Sequence, residues 1–570
     1  MNTAGFKSRI RIISVCVFLF AVVLISKLFF VQIIHKNSYL EKADKQYTTP
    51  SGNILNRGSI FFTKRDGSVV AAGAMMSGFK VAIKPKDVKD PEALYTILSP
   101  YLKMDHDTFI SKASKKFDPY EEVASHLTKE DADSITKLAL PYVSIYKEKW
   151  RFYPGGSLAS QTLGFISYKG DDLTGQYGIE RFYNTTLSKP KDQSYVNFFA
   201  EVFSNIKDTV SGQENGDIVT TIEPTVQQTL ESEMKKTFGQ WNADEAGGII
   251  MDPKTGEIYA IAGVPDFDLN EFGKVDSMKV YRNPLVEDAF EFGSVIKPLV
   301  MAGAVDQGVV TPQTTYYDAG SVTINGKIIS NFDKKGRGAN TTMQHVLDES
   351  LNTGMVFVEG KMGHESFRNY MKSYGIGEKT GVDIPNEVSG ITGNLSGKSH
   401  DFEYANMSFG QGLALTPMQA IRAFSALANG GSLVVPHLVK QIRYDNGLSK
   451  EIVYAPIKTN LLKKESTDTI TAMLVHVFES YGKGSYIIPH YSVATKTGTA
   501  QVAKESGGGY YKDEHMHSFF GFFPAYEPKF IVFLFLKNPK NINYASQTLI
   551  SPFVNITKFL LNYYDVPPDR

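Results

Sequence analysis

A single cysteine, Cys16, is all that 570 residues contain, and it lies inside an apolar run. This excludes a disulfide framework and any site built on several thiolates, so packing must hold the fold together. Net charge is missing too, because 60 basic side chains balance 60 acidic ones. No global field therefore draws nucleic acid or an acidic partner. No fixed-period repeat and no low-complexity tract interrupts the chain, which argues against a solenoid or a long disordered linker. Metal-ligand spacing is equally scarce. His515 and His517 stand two apart, but two ligands do not make a site, and packing or surface histidines are the expectation. Neither a metal nor a cofactor is expected.

Hydrophobic residues make up 42% of the chain, enough for real cores, and the length suggests several units. Only one apolar run is long. Ile12 to Ile34, with Lys27 its only charge, is about the length that crosses a bilayer core. Lys7, Arg9 and Arg11 precede it, which puts the N-terminus in the cytoplasm and the remainder outside. A cleaved signal peptide is the alternative, disfavoured because no small-x-small cleavage site follows before His35-Lys36-Asn37. The expectation is a single-pass membrane protein with a large extracytoplasmic body.

From Glu41 to about Val210, short β-like runs such as Phe79 to Ile83 alternate with helical stretches, Pro91 to Leu98 and Lys129 to Leu138, with no catalytic cluster. This reads as an α+β spacer or pedestal. Within it Arg57-Gly58-Ser59-Ile60, Arg151 to Gly164, and Gly175 to Glu180 read as turns and element starts. A strand at Gly216 to Ile222 and a helix at Glu223 to Lys236, with Pro224 in its first turn, open the main domain near residue 220. Ala246 to Met251 and Glu257 to Ala262 form a hairpin. Helices are expected at Ser294 to Gln307, Met343 to Met362, His364 to Tyr374, Pro417 to Ala428 and Ser466 to Glu479. Strands are expected at Tyr491 to Thr495, Phe519 to Phe523 and Lys529 to Phe535. Hairpin, helical block and closing strands give an α/β architecture, an antiparallel sheet flanked by helices.

The chemistry centres on Gly293-Ser294-Val295-Ile296-Lys297-Pro298. Residues three apart on a helix share a face, so the Ser294 hydroxyl and the Lys297 amine can meet, as an activated nucleophile requires. Gly293 suits a tight helix entry and Pro298 the first turn, which places Ser294 at the helix start with its N–H free. Spacing alone is cheap, since Ser-x-x-Lys recurs in the chain, at Ser77, Ser134, Ser144, Ser188, Ser204 and Ser232 among others. Order and context separate this copy from the rest. Ser350-Leu351-Asn352 follows it, and then Lys496-Thr497-Gly498. Ser51-Gly52-Asn53 also fits Ser-x-Asn but precedes the pedestal. Lys-Thr-Gly occurs three times. Lys254-Thr255-Gly256 falls in the hairpin turn and Lys379-Thr380-Gly381 in a polar loop. The third copy interrupts a β-like run, where glycine suits close approach of substrate to the backbone. Tyr510-Tyr511, after three glycines, reads as a loop near this motif that either contacts substrate or covers the sheet edge.

Ser-x-x-Lys, Ser-x-Asn and Lys-Thr-Gly in that order form the signature of serine β-lactamases and penicillin-binding proteins. With them come Thr255-Gly256-Glu257-Ile258, Arg282-Asn283-Pro284, Ser408 to Gly412, Leu415-Thr416-Pro417, Ala428 to Gly431, Ser518 to Pro524, and, upstream, Arg57-Gly58, Arg151 to Pro154 and Gly178-Ile179-Glu180. Over nearly its whole length the chain resembles the class B, transpeptidase-only penicillin-binding proteins, which cross-link peptidoglycan in division or elongation. The resemblance implies an α/β (α+β) transpeptidase domain of the serine β-lactamase-like type at 220–570, a pedestal resembling the family's dimerisation domain at 41–219, and a tail and anchor at 1–40 in the bacterial cytoplasmic membrane.

It further implies that Ser294 attacks the bond between two terminal D-alanines of a stem peptide, with Lys297 taking its proton and Ser350 relaying a proton to the leaving amine. Asn352 orients the peptide, and Lys496 and Thr497 bind the terminal carboxylate beside Gly498. The N–H groups of Ser294 and Thr499 form the oxyanion hole. β-Lactams are the implied inhibitors. The implied partners are a multi-pass glycan polymerase and other division or elongation proteins, because no glycosyltransferase-like domain precedes residue 220. Two departures stand out. Phe292 occupies the family's usual proline, an expected change to one cleft wall, and Phe61-Phe62-Thr63 replace an Asp-Arg pair. The competing readings are a D,D-carboxypeptidase or β-lactamase-type hydrolase, and a non-catalytic scaffold or β-lactam sensor.

Overall fold

The computed structural model describes Phe20 and residues 56–169, 172–189, 215–504 and 508–570. Apart from Phe20, the expected anchor Ile12 to Ile34 lies outside the described residues, as do Ser51-Gly52-Asn53 and Ser204. Among the described residues no helix is long and apolar enough to cross a membrane. The described chain forms two compact units, one of residues 76–150, the other of residues 57–75, 151–189 and 215–570.

In the smaller unit the second half of strand Val69–Ile83 pairs antiparallel with Glu121–Leu127, Phe79 standing opposite Leu127. Helices Pro91–Leu98 and His106–Ala113 are started by Asp90 and Asp105, whose carboxylates accept from Ala93 N and Thr108 N. Val81, Ile83, Leu94, Leu98 and Phe109 form its core.

The larger unit is built on a five-stranded antiparallel sheet of β1 (Glu245–Met251), β2 (Ile258–Val264), β3 (Ala494–Ala503), β4 (Tyr510–Phe523) and β5 (Phe530–Lys537), in the order β3-β4-β5-β1-β2. Side chains alternate across it with period two. Phe520, Phe522, Phe533 and Phe535 join one core and Phe519, Phe523, Leu534 and Leu536 another. Both faces are therefore buried, which explains the nearly continuous apolar run of β5.

The helices of this unit include α1 (Pro224–Trp241), α2 (Lys297–Gln307), α3 (Met343–Asp348), α4 (Asn352–Met362), α5 (Pro417–Ala428), α6 (Lys464–Ser480) and α7 (Ile550–Tyr563). α1 and α7 contribute to the second core, α2, α4 and α5 to the first. A separate sheet of this unit sets Val439–Tyr444 beside Gly216–Thr220, which runs parallel to Ile60–Thr63.

Besides Tyr510-Tyr511, read as a loop but opening strand β4, two expectations change. The single helix Met343 to Met362 is two helices broken at Ser350, which takes φ +56°. Leu351 N donates to Val346 O at 2.9 Å across the break, the six-to-one bond of a helix C-cap that ordinarily uses glycine. Second, Lys496-Thr497-Gly498 does not interrupt a strand but sits inside the continuous β3.

Candidate active site

Gly293 enters the nucleophile turn at φ +64°, and Gly293–Ile296 is a 3-10 turn that leads into α2 at Lys297, with Pro298 in the first turn of the helix. Lys297 N donates to Ser294 O. Side chains three apart eclipse in a 3-10 turn, so Ser294 and Lys297 lie on the same face of the turn. Ser294 is half-buried, while Lys297 is 0% exposed.

The Lys297 amine donates to Ser350 O at 2.5 Å, Asn352 Oδ1 at 2.9 Å and Ser350 Oγ at 3.2 Å. Burial, then the nearby charge of Lys496, hold its pKa well below the ordinary lysine value. Lys496, also buried, donates to Ser350 Oγ at 3.1 Å and Thr497 O at 3.2 Å. Burial brings it down to about 7, opposed by Asp348. Two amines thus donate to one hydroxyl oxygen. Ser350 Oγ is therefore within hydrogen-bond reach of both amines and can pass a proton between them and a bound group.

Asn352 is held in a defined sense, since its Nδ2 donates to Ser330 O at 3.0 Å, which turns Oδ1 toward Lys297. Its neighbour Thr353 is fixed by a buried network that sequence reasoning missed. Thr353 Oγ1 donates to Asp318 Oδ1 at 2.8 Å, and Asp318 also accepts from Asn331 Nδ2, Gly320 N and Arg337 N. No motif marks Asp318, because every one of its donors is remote in sequence or is backbone.

The nucleophile turn is wedged between two segments that touch it backbone to backbone. A Cβ on Gly410 would stand 2.0 Å from Gly293 O, and one on Gly498 would stand 2.3 Å from Phe292 O. Ser518 Oγ, on β4, donates to Phe292 O at 2.7 Å. The glycine of the third motif therefore admits the nucleophile's own segment. Phe292 corrects its expectation. It is 1% exposed and meets the Phe533 ring edge-on at 4.9 Å, so it fills the core and forms no cleft wall.

Lys297, Ser350, Asn352 and Lys496 are thus joined by hydrogen bonds, with Ser294 on the turn that leads into Lys297. On β3, Thr497 N donates to Tyr481 Oη at 3.2 Å and Thr499 Oγ1 accepts from Ala545 N at 3.1 Å. The other Lys-Thr-Gly copies lie in a turn and a loop: Asp252 Oδ1 accepts from Lys254 N and Thr255 N, and Glu387 accepts from Thr380 N and Gly381 N. His517 is buried against Thr548 at 2.9 Å, a packing histidine, and burial pulls its pKa down to about 4. Tyr510 donates to Glu291.

An antiparallel sheet whose edge strand carries a lysine toward a Ser-Lys pair defines an acyl-transferring serine enzyme. The chain belongs to the penicillin-binding proteins of the transpeptidase type: residues 246–556 match the penicillin binding protein transpeptidase domain and residues 55–220 the penicillin-binding protein dimerisation domain. It is similar to the stage V sporulation protein D of Bacillus subtilis, 30% identical over 501 residues, which span 86% of this chain and 76% of that protein. It is also similar to the probable peptidoglycan D,D-transpeptidase PenA of Neisseria gonorrhoeae, 27% identical over 96% of this chain and 91% of that one. Among solved structures, penicillin binding protein 3 of Mycobacterium tuberculosis complexed with aztreonam has the same fold, with TM-score 0.69 and 22% identity over 91% of this chain and 98% of that one. Penicillin binding protein 2X of Streptococcus thermophilus gives TM-score 0.72 and 22% identity over 90% and 80%.

Proposed function

We propose that this protein is a serine D,D-transpeptidase that joins peptidoglycan stem peptides through an acyl-enzyme on Ser294 and is inhibited by β-lactams. The observation that carries this reading is the desolvated Lys297 amine, one 3-10 turn from Ser294 and bonded to Ser350 and Asn352. Ser294 Oγ attacks the carbonyl carbon of the penultimate D-alanine as neutral Lys297 takes its proton. The oxyanion is met by the N–H groups of Ser294 and Thr499. Ser350 gives its proton to the amide nitrogen, the C–N bond breaks, and D-alanine leaves. Ser350 is reprotonated from the lysine that accepted the serine proton. An amine of a second stem then attacks the ester, its proton returns through the same groups to Ser294 Oγ, and the cross-link forms.

Lys496 and Thr497 hold the donor's terminal carboxylate as a charge-assisted pair. Asn352 orients its backbone, and Gly498 keeps the nucleophile turn seated. In this reading residues 220–570 do the chemistry, residues 41–219 form a pedestal, and residues 1–40 anchor the chain in the cytoplasmic membrane with the catalytic domain outside. A membrane-embedded glycan polymerase supplies the strands that are joined, and co-purification from detergent extracts tests that pairing.

A fluorescent penicillin tests the chemistry. A stable adduct mapped to Ser294, absent in Ser294→Ala, supports the transpeptidase, whereas rapid release of hydrolysed penicillin would sink it in favour of a hydrolase. Growth and normal cross-linking on Ser294→Ala alone would leave only a scaffold.

A further inference from the structure

We propose that Glu291 is a positioning residue that clasps the β3–β4 hairpin to the nucleophile turn and so fixes the spacing of the two oxyanion donors; this rests on the transpeptidase reading above. Glu291 lies three residues before Ser294 and has no place among the reacting groups. Its carboxylate accepts the Tyr510 hydroxyl at 3.0 Å on Oε2 and 3.2 Å on Oε1, and Gly412 N at 3.0 Å on Oε1.

Each donor belongs to a segment that touches the site independently. Tyr510 opens β4 and pairs with Ala503 of β3, the strand that carries Thr499. Gly412 continues the segment whose Gly410 O accepts from Gly293 N at 3.2 Å. Thr499 O in turn would lie 2.7 Å from a Cβ on Gly293. The carboxylate therefore closes a ring through the nucleophile turn, the Ser408 to Gly412 segment and the hairpin.

The importance of that ring follows from where the oxyanion donors come from. One N–H is on the turn, at Ser294, and the other on the strand, at Thr499. Nothing covalent sets their separation. Gly498 against Phe292 O fixes it close to the donors, and Glu291 fixes the far end of the same hairpin. Both groups that hold the carboxylate are neutral. Burial raises its pKa while the Tyr510 and Gly412 hydrogen bonds lower it, as expected of a carboxylate used as a hydrogen-bond acceptor and not as a counter-charge.

The test measures the acylation rate constant of the full chain with a fluorescent penicillin, together with kcat and KM for a stem-peptide donor. Glu291→Ala and Tyr510→Phe should each slow acylation and lower kcat by about tenfold or more, with KM nearly unchanged, because displacing an oxyanion donor weakens the transition state and not substrate binding. Glu291→Gln should rescue most of the rate, since one amide oxygen can accept from both Gly412 N and Tyr510. The double variant Glu291→Ala/Tyr510→Phe should be no slower than Glu291→Ala alone, because the two side chains share one interaction. Wild-type acylation rates in Glu291→Ala and Tyr510→Phe, even with lowered thermal stability, would overturn the proposal. So would a glutamine variant as slow as alanine, or multiplicative losses in the double variant. If the wild-type chain is not acylated on Ser294, the transpeptidase reading falls and this inference falls with it; if it is acylated and the variants behave as wild type, the inference alone falls.

Discussion

Gly498 of β3 and Phe292 of the nucleophile turn meet without a side chain between them: a methyl group on Gly498 would stand 2.3 Å from the Phe292 carbonyl oxygen, 2.5 Å from Ser518 Oγ and 2.9 Å from Val295 N. Two of those atoms are backbone and cannot rotate away. Gly498→Ala should push the turn off the strand, at a cost of about 1–3 kcal/mol in stability from overpacking. Acylation should fall by about a hundredfold, since both proposed oxyanion donors shift. Urea denaturation and penicillin labelling check the two effects separately, and acylation at the wild-type rate would remove the seating role.

Ser350 presents its hydroxyl to two amines by adopting a conformation that serine disfavours, φ +56°. Ser350→Gly and Ser350→Ala remove the same hydroxyl, but only glycine relieves the left-handed backbone. Both should lose most acylation. The glycine variant should be more stable than the alanine variant by about 1 kcal/mol, read from denaturation midpoints. Equal stabilities would mean that the helix break is not held at Ser350.

Residues with a chemical reason for their spacing were legible in the sequence. Ser294, Lys297, Ser350, Asn352 and Lys496 were all picked out; hydrogen bonds join the last four, and Ser294 stands one 3-10 turn before Lys297. The Ala246 to Met251 hairpin and the helix Pro417–Ala428 were also foreseen, because apolar periodicity and capping residues act locally. What escaped was set by contacts distant in sequence. Nothing near Phe292 tells that its ring enters the core, which depends on Phe533 some 240 residues away. Asp318 and Glu291 are ordinary acidic residues until Thr353, Gly412 and Tyr510 arrive beside them. The break at Ser350 was missed because helical periodicity runs through it, and only the αL cap shows that the chain turns there.

Burial of Lys496 should make folding depend on pH in a definite sense. Its folded pKa is about 7, below the ordinary 10.5, so between those values the unfolded chain binds a proton that the folded chain does not. Stability therefore rises with pH across that window. Below about 7 both states are protonated, and the full cost of burying the ammonium, on the order of a few kcal/mol, is present. Lys297, also lowered by burial and by Lys496, acts in the same sense. Lys496→Met should be more stable than the wild type near pH 6.5, and that advantage should shrink toward pH 10. A gap that stays constant or widens with pH would contradict the assigned burial of the amine.

Glu180 is where three of the upstream sequence stretches converge. Its buried carboxylate accepts Arg57 Nε at 2.6 Å, Arg151 Nε at 2.7 Å and Tyr153 Oη at 3.2 Å, and its own carbonyl accepts Arg57 Nη2 at 2.7 Å. Read from sequence, Arg57-Gly58, Arg151 to Pro154 and Gly178-Ile179-Glu180 were only turns and element starts; in the fold they are one ion cluster. Two guanidinium groups share this single anion, and Arg151 Nη2 has no hydrogen-bond partner among the described residues. Glu180→Ala would leave two positive charges buried and facing each other, and should cost about 3–5 kcal/mol. The cluster as a whole need not be a net source of stability, because desolvating three charged groups offsets most of their attraction. Replacing Arg57, Arg151 and Glu180 together with methionine should therefore recover much of what Glu180→Ala loses. Chemical denaturation of the three proteins distinguishes the cases: a single variant within about 1 kcal/mol of wild type would show that water reaches the cluster, and a triple variant as unstable as Glu180→Ala would show that the ion pairs themselves hold these three segments together.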